Sequence, residues 1–199
     1  MINIHPSLYR IGAASCGALT TIPFDIIQTK IISNKNIEFK IQEFKWIFFI
    51  TILFFIQNSV YEWSKFINSQ TIRGTLSGIV ASPIYLYLEI RKINCRIGIF
   101  PKFNKFCLWI ILREIIVFVT MYNIFLLNIP YSKFISAFLA NAFGFPIKII
   151  ALKKGYPSLL INYNSIKKMC ILEIIKSSLG DGLTLVLIYN CKFSPLKRI

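Results

Sequence analysis

A chain of 199 residues that is 55% hydrophobic and 15% aromatic, yet carries 23 Lys and Arg against 8 Asp and Glu, is too apolar for an ordinary soluble domain of this size. The formal charge of +15 does not point to nucleic acid, because the basic residues punctuate long apolar runs instead of forming one face interleaved with accessible aromatics. Five dispersed cysteines without a C-x-x-C pair, and a single histidine at position 5, offer no metal site, no disulfide framework and no Cys/His nucleophile, so neither metal nor cofactor is expected.

In chain order, apolar runs predict helices over about 8–33, 46–66, 70–92, 106–129, 132–154 and 169–191. Each is long enough to cross a bilayer, which takes about 20 apolar residues. No short apolar leader with a small-residue cleavage site precedes them, so no removable secretory signal is expected. The connections after the first, third and fifth runs are longer and polar, and those after the second and fourth are short. The natural unit is therefore a helical hairpin, giving repeats of about 8–66, 70–129 and 132–191 within one membrane domain, 1–199. Residues 30–45 hold four Lys, 91–105 five Lys or Arg, and 148–168 five Lys, against seven basic residues on the other side. The three longer loops should therefore face the electrically negative compartment.

The hairpins also repeat in register. A step of 64 residues from Asp25 reaches Glu89, and a further 59 reaches Lys148; two steps of 64 from Glu62 reach Leu126 and Asn190. Around the first anchor the chain reads "GALTTIPFDIIQTKI", with Pro23, Asp25, Gln28 and Lys30, and around the second "YLEIRK", with Tyr87, Glu89 and Lys92. The third reads "FPIKIIALK", with Pro146, Lys148 and Ala151. The second hairpin motif is "YEWSK", Tyr61, Glu62 and Lys65, echoed by Tyr189 and Asn190 in the sixth run and by Phe125 in the fourth.

These motifs resemble the mitochondrial carrier family, whose odd helices end in Pro-x-[Asp/Glu]-x-x-[Lys/Arg]-x-[Lys/Arg] and whose even helices carry [Phe/Tyr]-[Asp/Glu]-x-x-[Lys/Arg]. The match is strongest in the first repeat. Gln28 replaces a base, Tyr87 stands where the second proline belongs, and Lys148 takes the third acid's place. The resemblance implies an all-α membrane protein of six transmembrane helices in three pseudo-threefold hairpins, set in a mitochondrial or related inner membrane.

It further implies a matrix-side gate of Pro23, Asp25, Gln28, Glu89, Lys92, Pro146 and Lys148, and an opposite gate of Tyr61, Glu62, Lys65, Tyr189 and Asn190. Asp25 and Lys92 would be the one intact pair, and Glu89 would turn to Lys148, giving that ring of four no net charge.

The physics is consistent with such a gate. Proline kinks a helix, and an ionisable residue within a span costs on the order of 3 kcal/mol or more unless it faces a partner or a water cavity. Counting back from the even-helix motifs places substrate contacts near Phe49, Arg113 and Ser178, with Lys176, Glu173 and Asp181 as further lining candidates. Arg113 could hold a carboxylate or phosphate through its planar fork, or pair with Glu114 or Glu173 as structural glue. Ala14 and Ala18, Gly74 and Gly78, and Ala140 and Gly144 lie four apart, a spacing that lets helix backbones approach.

The function expected is alternating-access transport of a small solute, with a mild preference for an anion, and with membrane lipid and that solute as the only partners. The alternatives are a carrier-derived scaffold or partner-binding protein without transport, and an unrelated six-span protein such as a small channel. No nucleophile, metal cluster or phosphate loop suggests an enzyme.

Overall fold

The computed structural model of the chain describes residues 6–33, 45–125, 127, 131–159 and 161–190. Among them are six long helices and no strand: α1 (Pro6–Ser33), α2 (Lys45–Trp63), α3 (Gln70–Ile97), α4 (Phe103–Phe125), α5 (Ser132–Gly155) and α6 (Tyr163–Asn190). α2 gives way to a 3-10 turn over Ser64–Phe66.

α3 and α6 are longer than hydropathy suggests. α3 runs past residue 92, and α6 begins before residue 169, through segments rich in Arg and Lys, which are good helix formers that an apolar-run criterion rejects. Gly98 stops α3 in the left-handed region at φ 73°, donating its N–H to the Asn94 carbonyl at 2.8 Å. The links 98–102 and 156–162 are consequently short, and no surface helix lies in their described residues; residues 34–44 of the first link lie outside the described set.

Each helix packs chiefly on its neighbours in the chain, and α6 returns to α1, so the six close into a ring. Short links make successive helices antiparallel. The C-terminal ends of α1, α3 and α5 therefore share the loop-rich basic end with the N-terminal ends of α4 and α6.

Each odd helix carries one interior proline: Pro23, Pro83 and Pro146. The proline of the second repeat is thus Pro83, one helical turn before Tyr87, which the charge-anchored register had put in its place. All three prolines are exposed. A proline ring clashes with the preceding turn and bends the helix away from itself, so prolines on the outer face lean the helix ends toward the axis.

Polarity is distributed inside out. Leu19, Phe48, Ile79, Leu108, Phe143 and Leu179, one on each helix, are exposed, whereas Asp25, Glu89, Lys92, Lys148 and Glu173 are buried. Three helical segments, Lys45–Phe66, Phe103–Phe125 and Ser132–Gly155, are long and apolar enough to cross a membrane. α1, α3 and α6 have 28 residues each, about 42 Å at 1.5 Å per residue; their interior charges are what lower their hydropathy.

Small residues permit close helix contacts. A Cβ placed on Gly78 would lie 2.7 Å from the Ile115 Cα, and one on Gly74 2.8 Å from the Val119 Cα, so α3 and α4 meet backbone to backbone. Ala14, Ala18 and Ala140 are fully buried. Gly78→Ala should therefore lower stability by about 1–3 kcal/mol through overpacking. Gly12→Ala, where an added Cβ meets nothing within 4 Å, should be neutral or gain up to about 1 kcal/mol from helix propensity. Thermal unfolding of the detergent-solubilised variants measures both.

Candidate functional site

The axis of the ring encloses a cavity to which all six helices contribute, including Thr21, Leu53, Tyr85, Val117, Asn141 and Ser177. Its free volume is about 60 Å³, room for a few waters at about 30 Å³ each in the liquid. Five of the chain's eight acids line it: Asp25, Glu89, Glu114, Glu173 and Asp181. Lys92, Arg113 and Lys176 line it as well. In a protein of charge +15, the centre is the place where acids outnumber bases.

Glu173 is the hub. It is 0% exposed and its carboxylate lies 2.9 Å from Lys148, 2.9 Å from Lys176 and 3.1 Å from Arg113. Gln28 donates its Nε2–H to the same carboxylate at 2.7 Å. Lys176 also reaches Asp25 at 3.1 Å, and Asp25 pairs with Lys92. Arg96 donates to the Asp25 backbone carbonyl at 3.0 Å and to the Thr29 hydroxyl at 2.7 Å. A continuous polar chain therefore ties α3 to α1, α6, α5 and α4. α2 contributes only apolar groups such as Ile50, Leu53 and Phe54 to the cavity.

A smaller chamber of about 20 Å³ lies beside the cavity, lined by Gln28, Thr29, Arg96 and Lys148 among others. Asp25, Glu89 and Lys92 line both spaces and so form the partition between them. Five of the expected matrix-side gate residues, Asp25, Gln28, Glu89, Lys92 and Lys148, thus come together, and Pro23 and Pro146 stand outside on the convex faces. One expected contact is different: Lys148 turns to Glu173 and not to Glu89. Glu173 offers a carboxylate already surrounded by cations, and its helix packs directly on α5. Glu89, 9% exposed, has neither hydrogen bond nor ion pair among the described residues.

The opposite end is closed differently from expectation. Glu62 pairs with Lys65 within one turn and with Arg10 of α1 at 3.8 Å, and the Lys65 side chain is 63% exposed, so this ion pair does not cross the axis. The crossing contact is aromatic: Tyr61 of α2 stacks on Tyr122 of α4 at 3.7 Å between ring centroids. Arg73 lies over the Tyr61 ring at 3.8 Å and donates to the Tyr61 carbonyl at 2.8 Å, while the Tyr61 hydroxyl donates to Gln70 at 2.8 Å. Tyr189 and Asn190 belong to α6, but their side chains lie outside the described residues.

Of the expected substrate contacts, Arg113 and Lys176 line the cavity. Ser178 is not in the lining and its neighbour Ser177 is; likewise Ile50 lines the cavity where Phe49 packs against Tyr87. Counting from the aromatic motif was one residue off on α2 and α6 and reached the lining at Arg113 on α4. Arg113 has its terminal nitrogens on Glu114, on Asn141 at 2.9 Å and on Glu173 at 3.1 Å, and its Cζ lies 4.8 Å from the Tyr85 ring. Sequence reasoning overlooked Tyr85 of α3 and, inside the apolar helices α5 and α4, Asn141 and Tyr122. For Asn141 the signal was a polar amide within a span.

Glu173→Gln leaves three buried cations without their shared carboxylate and should destabilise by about 3–5 kcal/mol. Glu89→Gln removes a charge that holds no partner and should leave the unfolding temperature unchanged or raised; calorimetry of the purified protein reads both. Comparison of the chain with protein-family models, with curated proteins and with solved structures finds no match.

Proposed function

We propose that the chain is a short, divergent protein of the mitochondrial-carrier type. All six helices span the inner membrane of a mitochondrion or related organelle, and a small charged metabolite crosses by alternating access. The observation that carries this reading is the partition: ion pairs from α1, α3 and α6 separate the central cavity from a chamber at the basic end. The inside-out distribution of charge supports six spans, because interior charges on α1, α3 and α6 face one another while the outer faces of all six helices are apolar.

In the proposed cycle, the conformation in hand has a central cavity of about 60 Å³, which must widen to take a metabolite. Opening the basic end separates Asp25 from Lys92 and Lys176, whose charges are then solvated by entering water. The Tyr61–Tyr122 stack keeps the other end shut meanwhile. Ion pairs suit a gate of this kind: water replaces them at modest net cost, whereas an apolar seal would expose surface at about 25 cal/mol per Å².

A second reading, a membrane scaffold without transport, is favoured by the Glu62–Lys65 pair, which is confined to one turn and does not link even helices. Uptake by liposomes holding the purified protein separates the two. Transport predicts saturable uptake that Asp25→Asn slows by about tenfold, equivalent to roughly 1.4 kcal/mol on the limiting step, and that Asp25→Glu largely restores. Folded protein that takes up none of a panel of amino acids, amines, keto acids, phosphate and nucleotides would favour the scaffold.

A further inference from the structure

The charges facing the cavity are unequally committed. Each base has an acid: Lys92 holds Asp25, Lys176 holds Asp25 and Glu173, and Arg113 holds Glu114 and Glu173. Two acids make no ion pair among the described residues, although Lys148 acts on Glu89 through space, and Arg113 and Lys176 act on Asp181. Glu89 is nine-tenths buried and makes no hydrogen bond or ion pair, and Asp181 receives only the Asn141 amide, at 3.0 Å. Near Glu89 is a second unsatisfied acceptor: the Tyr85 hydroxyl is buried, lacks a hydrogen-bond partner and belongs to a residue lining the same cavity. Tyr85 and Glu89 are four apart on α3 and therefore share a face.

A carboxylate held inside the bundle with no base in direct contact is unfavourable, so Glu89, nine-tenths buried, and the partly buried Asp181 are placed to take a positive group from outside the chain. An entering anion would meet Glu89 and Asp181 and would have to draw Arg113 or a lysine away from its present carboxylate. A protonated amine would supply the missing charge and donate hydrogen bonds to Glu89 and to the Tyr85 oxygen.

We propose that the cavity binds a small solute bearing a protonated amine, with Glu89 as the principal anchor and Asp181 as the second. This reverses the mild preference for an anion expected from Arg113. It rests on the transport reading for the widening that admits an amine to a cavity of about 60 Å³ and for the claim that the amine is carried.

The test is a thermal-unfolding titration of the purified full-length protein with putrescine and arginine against succinate and phosphate, at matched ionic strength. The amines should raise the unfolding temperature saturably and the anions should not. Glu89→Gln should weaken the apparent amine affinity by about tenfold, the loss of one charge-assisted hydrogen bond, and Asp181→Asn should weaken it less. Stabilisation by succinate or phosphate without stabilisation by amines overturns the proposal, as does equal amine binding by wild type and Glu89→Gln. If Glu89→Gln does not fold, the Asp181→Asn titration and the amine-against-anion preference of the wild type decide. Liposome uptake of the same probes separates the two readings. Amine binding without uptake keeps the site and removes transport, and uptake of anions without amine binding keeps transport and overturns the amine site.

Discussion

Glu173 must not be left alone. A carboxylate withdrawn entirely from solvent costs several kcal/mol unless cations and donors surround it, and here they come from four helices: Gln28 of α1, Arg113 of α4, Lys148 of α5 and Lys176 of α6. That requirement sets the rotation and depth of each helix, because a turn of any one by a quarter would take its polar group into the apolar exterior. Lys176 then hands the constraint on to Asp25, and Asp25 to Lys92 of α3. α2, which brings no charge to the centre, is held by apolar packing of Ile50, Leu53 and Phe54 against the core and by the Tyr61 stack.

The two ends of the ring differ in kind. At the basic end the odd helices carry outer-face prolines and are joined to one another and to their neighbours by ions and amides. At the other end, α2 and α4 meet through stacked tyrosines with Arg73 laid over one ring. Ions can exchange one partner for water or for a ligand, while stacked rings release only by exposing apolar surface. In the proposed transporter this asymmetry makes the ionic end the one that responds to what the cavity holds. The uncommitted carboxylates of Glu89 and Asp181 lie on α3 and α6, two of the helices that build the partition, so a cation bound there would act on the gate directly.

Much of the fold was legible from the residues. Hydropathy located all six helices, and Asp25 with Lys92 emerged as an ion pair; the expected alternation of long and short links did not hold, because α3 and α6 extend into their links and leave 98–102 and 156–162 about as short as 64–69. Helix ends were misjudged where Lys and Arg continue a helix, as at Arg96 and Lys167. The second repeat was anchored on Glu89, which the structure brings to the same chamber as Asp25 and Lys148; its proline, Pro83, lies one turn earlier than Pro23 and Pro146 do relative to those charges. The hub itself was harder to read. Glu173 and Asp181 could be suspected only as acids in a span, and nothing local to Lys148 reveals whether it faces Glu89 or Glu173, since that depends on how α6 rotates against α5. Tyr122 was hidden by a chain so rich in aromatics that Phe125, three residues on, served the motif as well. Acid scarcity was the most informative signal: of the six carboxylates within the described helices, all but Glu62 line one cavity.

The central claim is that the Asp25 and Glu173 network holds the basic ends of the odd helices together as a releasable gate. The most direct measurement is the distribution of distances between spin labels at exposed positions 30, 95 and 153, near the C-terminal ends of α1, α3 and α5. The protein would be in lipid, with its other cysteines replaced, and compared with the same labelled protein carrying Asp25→Asn. A narrow short-distance population in the parent that broadens and lengthens in Asp25→Asn is the outcome this account predicts. Identical distributions in the two proteins would contradict it.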